Sequence, residues 1–334
     1  MGGQGDAFAL DMIGSCPVTP PVADFTASTT TLCTGSTVSF TDTSTNIPFI
    51  WNWTFQGGTP PTSTAQNPTV QYNAPGTYQV SLTATNYNGN NTKTEVGYIT
   101  VTAIPAVLAT TPGARCDSGA VTLQATSNLG TLKWYDAQTG GALLASGASF
   151  ITPSITATTI YYVEAASGSC ASLRTAVTAT VNTTPSVVAT VAGSRCGTGN
   201  VALQASASAG TLSWYNVASG GSVLATGTSF VTPAISATTT FYVSASQNGC
   251  PSPRTAVVAT VNDVPSVTST TPGSRCDSGT VNLSATAGGG TLNWYNVALG
   301  GTSLTTGSTF TTPNISATTA YYAEAVNGSC VSAR

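Results

Sequence analysis

The chain has 334 residues, of which only 6% are charged, with 8 Lys and Arg, 11 Asp and Glu, and no His. The net charge of −3 and the lack of a basic cluster argue against nucleic-acid binding, and without His these residues hold no Ser-His-Asp or Cys-His catalytic group. Thr, Ser, Ala, Gly and Val are abundant instead, a composition that favours an all-β protein.

Residues 1–21 are predicted to form an N-terminal extended segment. The opening MGGQGD lacks the positive charge and the apolar run of a signal peptide. If the protein is secreted, we expect its signal to have been removed or to lie outside these residues. No stretch of the chain reaches the roughly 20 consecutive apolar residues that span a bilayer, so we expect no membrane insertion.

Residues 22–104 have the pattern of a β-sandwich. Apolar and polar residues alternate in WNWTF (51–55) and in the second half of PGTYQVSL (75–82), as they do when alternate side chains of a strand face a core. Trp51, Trp53 and Phe55 therefore share one face and are predicted to form the core of this domain.

Three copies of one unit follow, over residues 105–184, 185–264 and 265–334. A spacing of 80 residues relates three sets of Cys and Trp residues: Cys116, Cys196 and Cys276; Trp134, Trp214 and Trp294; Cys170, Cys250 and Cys330. Such equal spacing predicts one structural unit copied in tandem.

Each copy has short alternating segments with turn residues between them, as in a sandwich of about seven strands. We name these strands A to G in the immunoglobulin manner. In the first copy Cys116 precedes strand B, Trp134 lies on strand C, Cys170 lies in the F–G loop, and Thr175 begins strand G. The sequence thus predicts an all-β chain of four serial Ig-like β-sandwich domains in an elongated array.

The domains resemble known families. Residues 22–104 resemble a PKD domain through GGTP (57–60), NPTV (67–70) and PGTY (75–78). Many PKD domains carry Gly-Asp-Gly after the aromatic strand, and QGG (56–58) lacks that Asp, so no cation site is carried over. The three copies resemble the tandem Ig-like domains of secreted gliding or adhesion proteins of Bacteroidota. This resemblance implies type IX export and an extracellular, cell-surface location, but no reaction.

The acidic residues do not form a repeated active site. The middle copy has Gly197 and Ser244 where the other two copies have acids. These acids are Asp117, Asp277, Glu164 and Glu324. Because a repeated active site would keep its acid in every copy, we predict no catalytic residue and no enzyme. Without His and without a C-x-x-C, we also predict no residue that binds a metal or a cofactor.

The eight cysteines suggest disulfides in an oxidising compartment, with two pairing schemes. The intra-domain scheme has the bonds Cys116–Cys170, Cys196–Cys250, Cys276–Cys330 and Cys16–Cys33. The inter-domain scheme has Cys33–Cys170, Cys116–Cys250 and Cys196–Cys330, and leaves Cys16 and Cys276 for a neighbour. The A–B and F–G loops lie at opposite ends of one sandwich, roughly 20 Å apart, whereas a disulfide needs Cα atoms within about 7 Å. We therefore favour the inter-domain scheme, which would stiffen the array.

Strands C and F are neighbours in such a sheet, and their alternation predicts a register. If Tyr135 opposes Tyr162, then Lys133 opposes Glu164, and we predict an exposed ion pair of about 0–1 kcal/mol between these two charges. The outward tyrosines have two interpretations, a sugar-stacking platform or a cross-strand pair that stabilises the sheet by roughly 0.2–1 kcal/mol. We favour the cross-strand pair.

The third copy ends at Arg334, which corresponds to Arg174 in the first copy and precedes the position of strand G. One explanation is a window cut from a longer chain, whose continuation supplies strand G and a partner for Cys276. The other is a head-to-tail polymer, in which AFALDMI (7–13) of one subunit fills the vacant strand and brings Cys16 toward Cys276. From the sequence we favour the window.

The sequence supports two functional hypotheses. The first is a non-catalytic structural stalk or adhesin segment of a bacterial surface protein or filament, whose partners are other domains of the same chain or identical subunits head to tail. The alternative is a set of accessory modules of a larger secreted hydrolase that bind surface glycans. A glycan array separates the two, because a stalk should bind nothing above background.

Overall fold

The computed structural model describes residues 19–334. Within this range every regular element is a β-strand and there is no helix. The strands form separate sheets in four consecutive domains. The prediction of an all-β chain with four serial Ig-like domains is therefore confirmed.

The first domain contains two sheets, with strand orders β1-β3-β7-β5 and β2-β9-β8-β4-β6. Its strands are β1 (Phe25–Ala27), β2 (Thr31–Cys33), β3 (Ser36–Asp42), β4 (Ile50–Phe55), β5 (Gly58–Thr59), β6 (Thr62–Ser63), β7 (Thr69–Tyr72), β8 (Gly76–Asn86) and β9 (Gly89–Thr102). β2 runs parallel to β9, which places Cys33 beside Thr102.

The first repeat has a three-stranded sheet, β10-β12-β15, and a larger sheet, β11-β18-β16-β13-β14, with β17 paired to β16. Its strands are β10 (Val107–Thr111), β11 (Gly113–Cys116), β12 (Thr122–Ser127), β13 (Thr131–Tyr135), β14 (Leu143–Ser146), β15 (Ser149–Ile151), β16 (Thr159–Ser167), β17 (Cys170–Ala171) and β18 (Thr175–Asn182). Of these, β13 is strand C, β16 is strand F and β18 is strand G.

The second repeat has the same topology, with sheets β19-β21-β24 and β20-β27-β25-β22-β23 and with β26 paired to β25. Its strands are β19 (Val187–Val191), β20 (Gly193–Cys196), β21 (Ala202–Ala207), β22 (Thr211–Tyr215), β23 (Ala225–Thr226), β24 (Ser229–Val231), β25 (Thr239–Gln247), β26 (Cys250–Pro251) and β27 (Thr255–Asn262). We call β2, β11 and β20 the A′ strands, because each lies between the first strand and strand B of its domain.

The third repeat has smaller sheets, β28-β29-β32 and β31-β30-β33-β34. Its strands are β28 (Val267–Thr271), β29 (Asn282–Ala287), β30 (Thr291–Tyr295), β31 (Thr305–Thr306), β32 (Thr309–Thr311), β33 (Tyr322–Asn327) and β34 (Cys330–Val331). Here β30 is strand C and β33 is strand F. Among the described residues, neither an A′ strand nor a strand G is formed in this repeat.

Aromatic side chains fill the space between the sheets of each domain. Trp53 and Phe55 are fully buried, and Trp51 packs against the same cluster while partly exposed. Trp134 is fully buried as well, and its indole N–H donates to the carbonyl of Gly147 at 2.9 Å. A buried indole N–H needs such a partner. The predicted core of the first domain is confirmed for Trp53 and Phe55, whereas Trp51 lies at its partly exposed edge.

The described chain divides into two compact units. The first ends at Val181 and the second is Asn182–Arg334. Each unit therefore holds two consecutive domains and the junction between them.

One buried hydroxyl in the first domain has no partner. The Tyr72 side chain is fully buried, and no described residue forms a hydrogen bond with its hydroxyl oxygen. Burial, with a smaller electrostatic contribution from Tyr78, raises the pKa of Tyr72 to about 12. The fold therefore favours the protonated form, and the stability that this preference provides is present below the unfolded pKa near 10 and is lost as the pH rises from about 10 to 12.

We therefore predict that Tyr72→Phe leaves the stability unchanged or raises it at pH 7.5, since an unsatisfied buried polar group is removed. Between pH 9 and pH 11.5 the variant should lose less stability than the parent. Urea denaturation in a Cys276→Ser background, which prevents thiol exchange at high pH, measures both effects. Tyr87→Phe is the control, because Tyr87 is exposed; a parent and a Tyr72→Phe variant with the same pH profile would contradict the prediction.

Candidate functional site: the disulfide-bonded domain junctions

The junction within the first unit is closed by a disulfide between Cys33 and Cys170, whose Cα atoms are 5.6 Å apart. Cys33 ends the A′ strand β2 of the first domain. Cys170 begins β17, directly after the F–G turn of the first repeat, and is buried. The A′ strand of one domain and the F–G turn of the next domain therefore meet at this junction.

The short linker of this junction is held from both sides. The Ile104 amide donates to the Thr34 hydroxyl oxygen at 3.3 Å, next to the disulfide. Two residues later, the Ala106 amide donates to Asn128 Oδ1 at 2.7 Å, and the Asn128 amide donates back to the Ala106 carbonyl at 3.2 Å. The linker backbone therefore has partners in both domains, as expected of a rigid connection rather than a flexible one.

The junction within the second unit repeats this arrangement. Cys196 ends the A′ strand β20, and a disulfide joins it to Cys330 with a Cα–Cα distance of 5.5 Å. β20 runs parallel to strand G, with Cys196 beside Asn262. The Gly197 amide donates to the Asn262 carbonyl at 2.9 Å. The cysteine is thus held where strand G leaves the second repeat.

An arginine fixes the loop that follows this cysteine. Arg195 Nη1 donates to the Asn200 carbonyl at 3.1 Å and Nε donates to the Gly197 carbonyl at 3.0 Å. Gly199 lies beneath the guanidinium with a φ of +152°, and a Cβ at that position would overlap Arg195. The other two repeats have the same arrangement, in the pairs Arg115 with Gly119 and Arg275 with Gly279.

The four cysteines of these two bonds do not follow the intra-domain scheme. Cys116 and Cys250 each take part in a disulfide as well, and their pairing with each other stays a prediction. Cys276 is exposed and has a free thiol. Cys16 lies outside the described residues.

A second recurrent feature is an arginine stacked on a strand C tyrosine. The guanidinium carbon of Arg174 lies 3.3 Å from the centroid of the Tyr135 ring. Arg174 Nε donates to Glu164 Oε2 at 3.2 Å, and the Tyr135 hydroxyl donates to Glu164 Oε1 at 2.8 Å. Arg174 Nη1 also donates to the carbonyls of Ala137 at 2.7 Å and Gly140 at 2.5 Å. We call this group the arginine clamp.

The clamp occurs in all three repeats, but its carboxylate does not. The corresponding stacked pairs are Arg254 on Tyr215 and Arg334 on Tyr295, each at 3.3 Å. In the third repeat Glu324 accepts from the arginine at 2.9 Å, whereas the second repeat has Ser244 at this position. The stacking is thus the constant part of the clamp.

The predicted register of strands C and F is confirmed, but the predicted ion pair is wrong. Tyr135 opposes Tyr162, and Lys133 opposes Glu164. Glu164 pairs with Arg174 instead, and within residues 19–334 Lys133 forms no ion pair. A guanidinium can stack on a ring and bind a carboxylate at once, whereas an ammonium is a strongly hydrated point charge. The register of strands C and F could not reveal this partner, because Arg174 lies on neither strand but directly before strand G.

The clamp also affects the tyrosine itself. Burial raises the pKa of the Tyr135 hydroxyl, and its hydrogen bond to Glu164 raises it further. The hydroxyl therefore keeps its proton and remains a donor. Because Arg174 covers one face of the ring, that face is closed to a sugar.

Residues 19–334 contain no group of three or more His, Cys, Asp or Glu side chains placed to hold a metal ion. No helix in this range is long and apolar enough to cross a membrane. The features that recur in the described domains are the junction disulfides, the arginine clamps and the loops held by Arg115, Arg195 and Arg275.

The protein is a serial array of β-sandwich domains, and comparisons with family models identify the family of each domain. The family model of the PKD domain matches residues 18–101. The model described as "Ig-like domain CHU_C associated" matches residues 102–182, 183–262 and 263–334. The chain therefore belongs to the CHU_C-associated Ig-like domain family, behind a PKD domain. The predicted resemblances to a PKD domain and to tandem Ig-like domains are confirmed, while the link to secreted proteins of Bacteroidota stays a prediction. PKD and Ig-like repeats are usually non-catalytic modules, and disulfides within them suggest an extracellular protein.

No curated protein matches the chain. Solved structures with similar folds include the I-band fragment I67-I69 from titin, at 12% identity over 73% of this chain and 99% of that chain with a TM-score of 0.40. Sidekick-1 immunoglobulin domains 1-5 are 17% identical, over 93% of this chain and 79% of that chain, with a TM-score of 0.30. Drosophila OTK extracellular domains 3-5 are 11% identical, over 73% of this chain and 96% of that chain, with a TM-score of 0.33. At these identities the likeness is one of fold alone.

We predict that Arg174→Ala destabilises the first repeat by about 2–3 kcal/mol, because it uncovers a ring and leaves a mostly buried carboxylate without its cation. Arg254→Ala should cost the second repeat only about 1 kcal/mol, since it removes the stacking and the hydrogen bond to the Val217 carbonyl but leaves no buried carboxylate without its cation. Hydrogen exchange of the strand C peptides, β13 and β22, measures the two effects in the intact chain.

Glu164→Ser is the matched control, because the second repeat has Ser244 at the position of Glu164. In that background Arg174→Ala should cost no more than Arg254→Ala does. Equal losses from Arg174→Ala and Arg254→Ala in the parent chain would show that the carboxylate contributes nothing.

Proposed function

We propose that the chain is a load-bearing segment of an extracellular stalk or adhesin on a bacterial surface. The observation that carries the proposal is the position of the two junction disulfides along the chain. The bond Cys33–Cys170 bypasses 137 residues and the bond Cys196–Cys330 bypasses 134. Under tension, the covalent path between Cys33 and Cys330 then runs through residues 170–196 only.

This short path protects the domains from being pulled apart. At about 3.5 Å per extended residue, the first disulfide prevents roughly 480 Å of chain from extending under tension, and the second prevents roughly 470 Å. A domain whose strands lie inside a bypassed loop carries no tension along those strands. The array can thus transmit force without unfolding most of its residues, a mechanical role that needs no catalytic group.

Two further observations support this role. The linker at residues 103–106 is hydrogen-bonded to both of its domains. The disulfides themselves suit an oxidising compartment outside the cytoplasm. Attachment at the cell surface and export by the type IX pathway stay predictions that follow from the family resemblance.

The alternative, glycan-binding modules of a larger secreted hydrolase, has less support. Stacking of a sugar needs an open aromatic face, and an arginine covers one face of Tyr135, Tyr215 and Tyr295. If the chain is a stalk, a glycan array on the purified chain should give no signal above background, and a signal would favour the alternative.

We predict that the oxidised chain, held by handles at its two ends in a force spectrometer, extends about 950 Å less than the same chain after reduction. Disulfide removal exposes both bypassed loops to tension, which is the physical reason for the difference. The measurement compares contour lengths before and after adding a thiol reductant.

The control is Cys276→Ser, which removes the exposed free thiol and should leave both contour lengths unchanged. The load-bearing role is wrong if the oxidised and reduced chains reach the same extension.

A further inference from the structure

The A′ strand of the second repeat carries a junction cysteine but no core side chain. This strand, β20, has the sequence GSRC (193–196), and none of its residues belongs to the core cluster of the repeat. The A′ strand of the first domain differs, because Leu32, directly before Cys33, is buried in the core cluster of that domain. A core leucine therefore precedes the junction cysteine in the first domain, whereas Arg195 precedes Cys196 in the second repeat.

Backbone pairing holds β20 along one side. It runs parallel to strand G, with residue pairs from Gly193 beside Ala259 to Cys196 beside Asn262. β20 is the last strand at its edge of the sheet, so strand G is its one neighbour there. A short edge strand without buried apolar contacts opens easily. The junction cysteine therefore needs a second attachment if its position is to be fixed.

Arg195 supplies this second attachment. Its Nε donates to the Gly197 carbonyl at 3.0 Å and its Nη1 donates to the Asn200 carbonyl at 3.1 Å. Hydrogen bonds from a charged donor are stronger than those from a neutral one. The guanidinium fits over Gly199, where a Cβ would overlap it. The side chain thus ties the end of β20 to the loop that follows the cysteine.

That loop is in turn fixed to the body of the second repeat. Gly199 and Ile235 exchange two backbone hydrogen bonds, of 3.0 Å and 2.9 Å. The Val201 amide donates to the hydroxyl oxygen of the buried Thr232 at 3.0 Å. Through this loop, the arginine connects the junction cysteine to its own domain without any contribution from the following domain.

The first repeat has the same arrangement. Arg115 Nη1 donates to the Ala120 carbonyl at 3.1 Å. Gly119 exchanges backbone hydrogen bonds of 2.9 Å and 3.0 Å with Ile155. The A′ strand β11 again contributes no residue to the core cluster of its domain. The arginine and its loop therefore accompany the A′ strands that lack a core side chain.

We infer that Arg195 is a positioning residue for the junction disulfide. In the reduced chain it holds the Cys196 thiol where strand G ends, the place that Cys330 reaches from the F–G turn of the third repeat. Holding two reacting groups in the right geometry raises their effective concentration. The bond between Cys196 and Cys330 is then favoured, because less conformational freedom is lost when it forms.

Bond formation is a two-electron oxidation. The thiols of Cys196 and Cys330 lose two protons and two electrons, and oxidised glutathione takes them up to give two molecules of reduced glutathione. The equilibrium constant of this exchange measures the effective concentration of the two thiols in the folded chain. A residue that only stabilised the sandwich elsewhere would not change this constant.

The positioning role goes beyond the load-bearing function, since it concerns how a junction forms and is measured without force. If the exchange constant changes as expected while the oxidised and reduced chains reach the same extension, the positioning role stands and the load-bearing function does not.

The exchange constants of the two junctions test the positioning role. The 334-residue chain, with Cys276→Ser to remove the exposed free thiol, is equilibrated in graded glutathione buffers, quenched with acid, alkylated and mapped by mass spectrometry. Arg195→Ala should lower the constant for Cys196–Cys330 about tenfold, which raises its reduction potential by about 30 mV. The constant for Cys33–Cys170 should stay the same, because Leu32 anchors that A′ strand.

Arg254→Ala is the matched control. It makes the same substitution in the same repeat, but it removes the arginine clamp at the start of strand G, so the constant for Cys196–Cys330 should not change. Arg195→Met keeps the apolar stem and removes the donors. It should lower the constant as Arg195→Ala does, and it decides the question if Arg195→Ala does not fold.

Three results would overturn the positioning role. The first is an unchanged constant for Cys196–Cys330 in a folded Arg195→Ala or Arg195→Met chain. The second is an equal fall in the Arg254→Ala control or at the Cys33–Cys170 junction, which would indicate a general loss of stability. The third is unfolding of the second repeat in both Arg195 variants, seen as fast hydrogen exchange in β22, which would make the arginine a requirement of the whole domain.

Discussion

The parallel pairing between an A′ strand and the last strand of its sandwich is the interaction on which the rest of this structure depends. It places Cys33 beside Thr102 and Cys196 beside Asn262, where the chain leaves each domain. The next domain folds directly from that point, and its F–G turn reaches the same place. The two cysteine Cα atoms then lie 5.6 Å apart at the first junction and 5.5 Å apart at the second, within the range that a disulfide needs.

The arginine clamp shows how the same topology supports each sandwich from outside. Arg174 stands directly before strand G, and its side chain crosses strand F to reach Tyr135 on strand C. It therefore connects three strands through one planar group, which a lysine cannot do. The second repeat lacks the carboxylate but keeps the stacking, which indicates that the ring contact and the hydrogen bond to the Val217 carbonyl suffice to hold the arginine.

The third repeat shows what strand G contributes to the other two. With no such strand among its described residues, strand F shortens at its amino-terminal end and the buried core contracts. The effect is local, because Trp294 stays buried and donates to Gly307 at 2.9 Å as its counterparts do. The sandwich thus keeps its centre, and the loss of burial is confined to the side that strand G covers in the other two repeats.

The sequence by itself determined the fold class, the 80-residue repeat, the core tryptophans and the register of strands C and F, because these follow from local alternation and equal spacing. It left two cysteine pairings open and assigned Glu164 the wrong partner. Only the tertiary structure decided these points. Arg174 lies in the loop before strand G and Glu164 lies on strand F, ten residues earlier, while Cys33 and Cys170 are in different domains. Contacts of this kind depend on how strands and domains are placed in space, which no periodicity along the chain encodes.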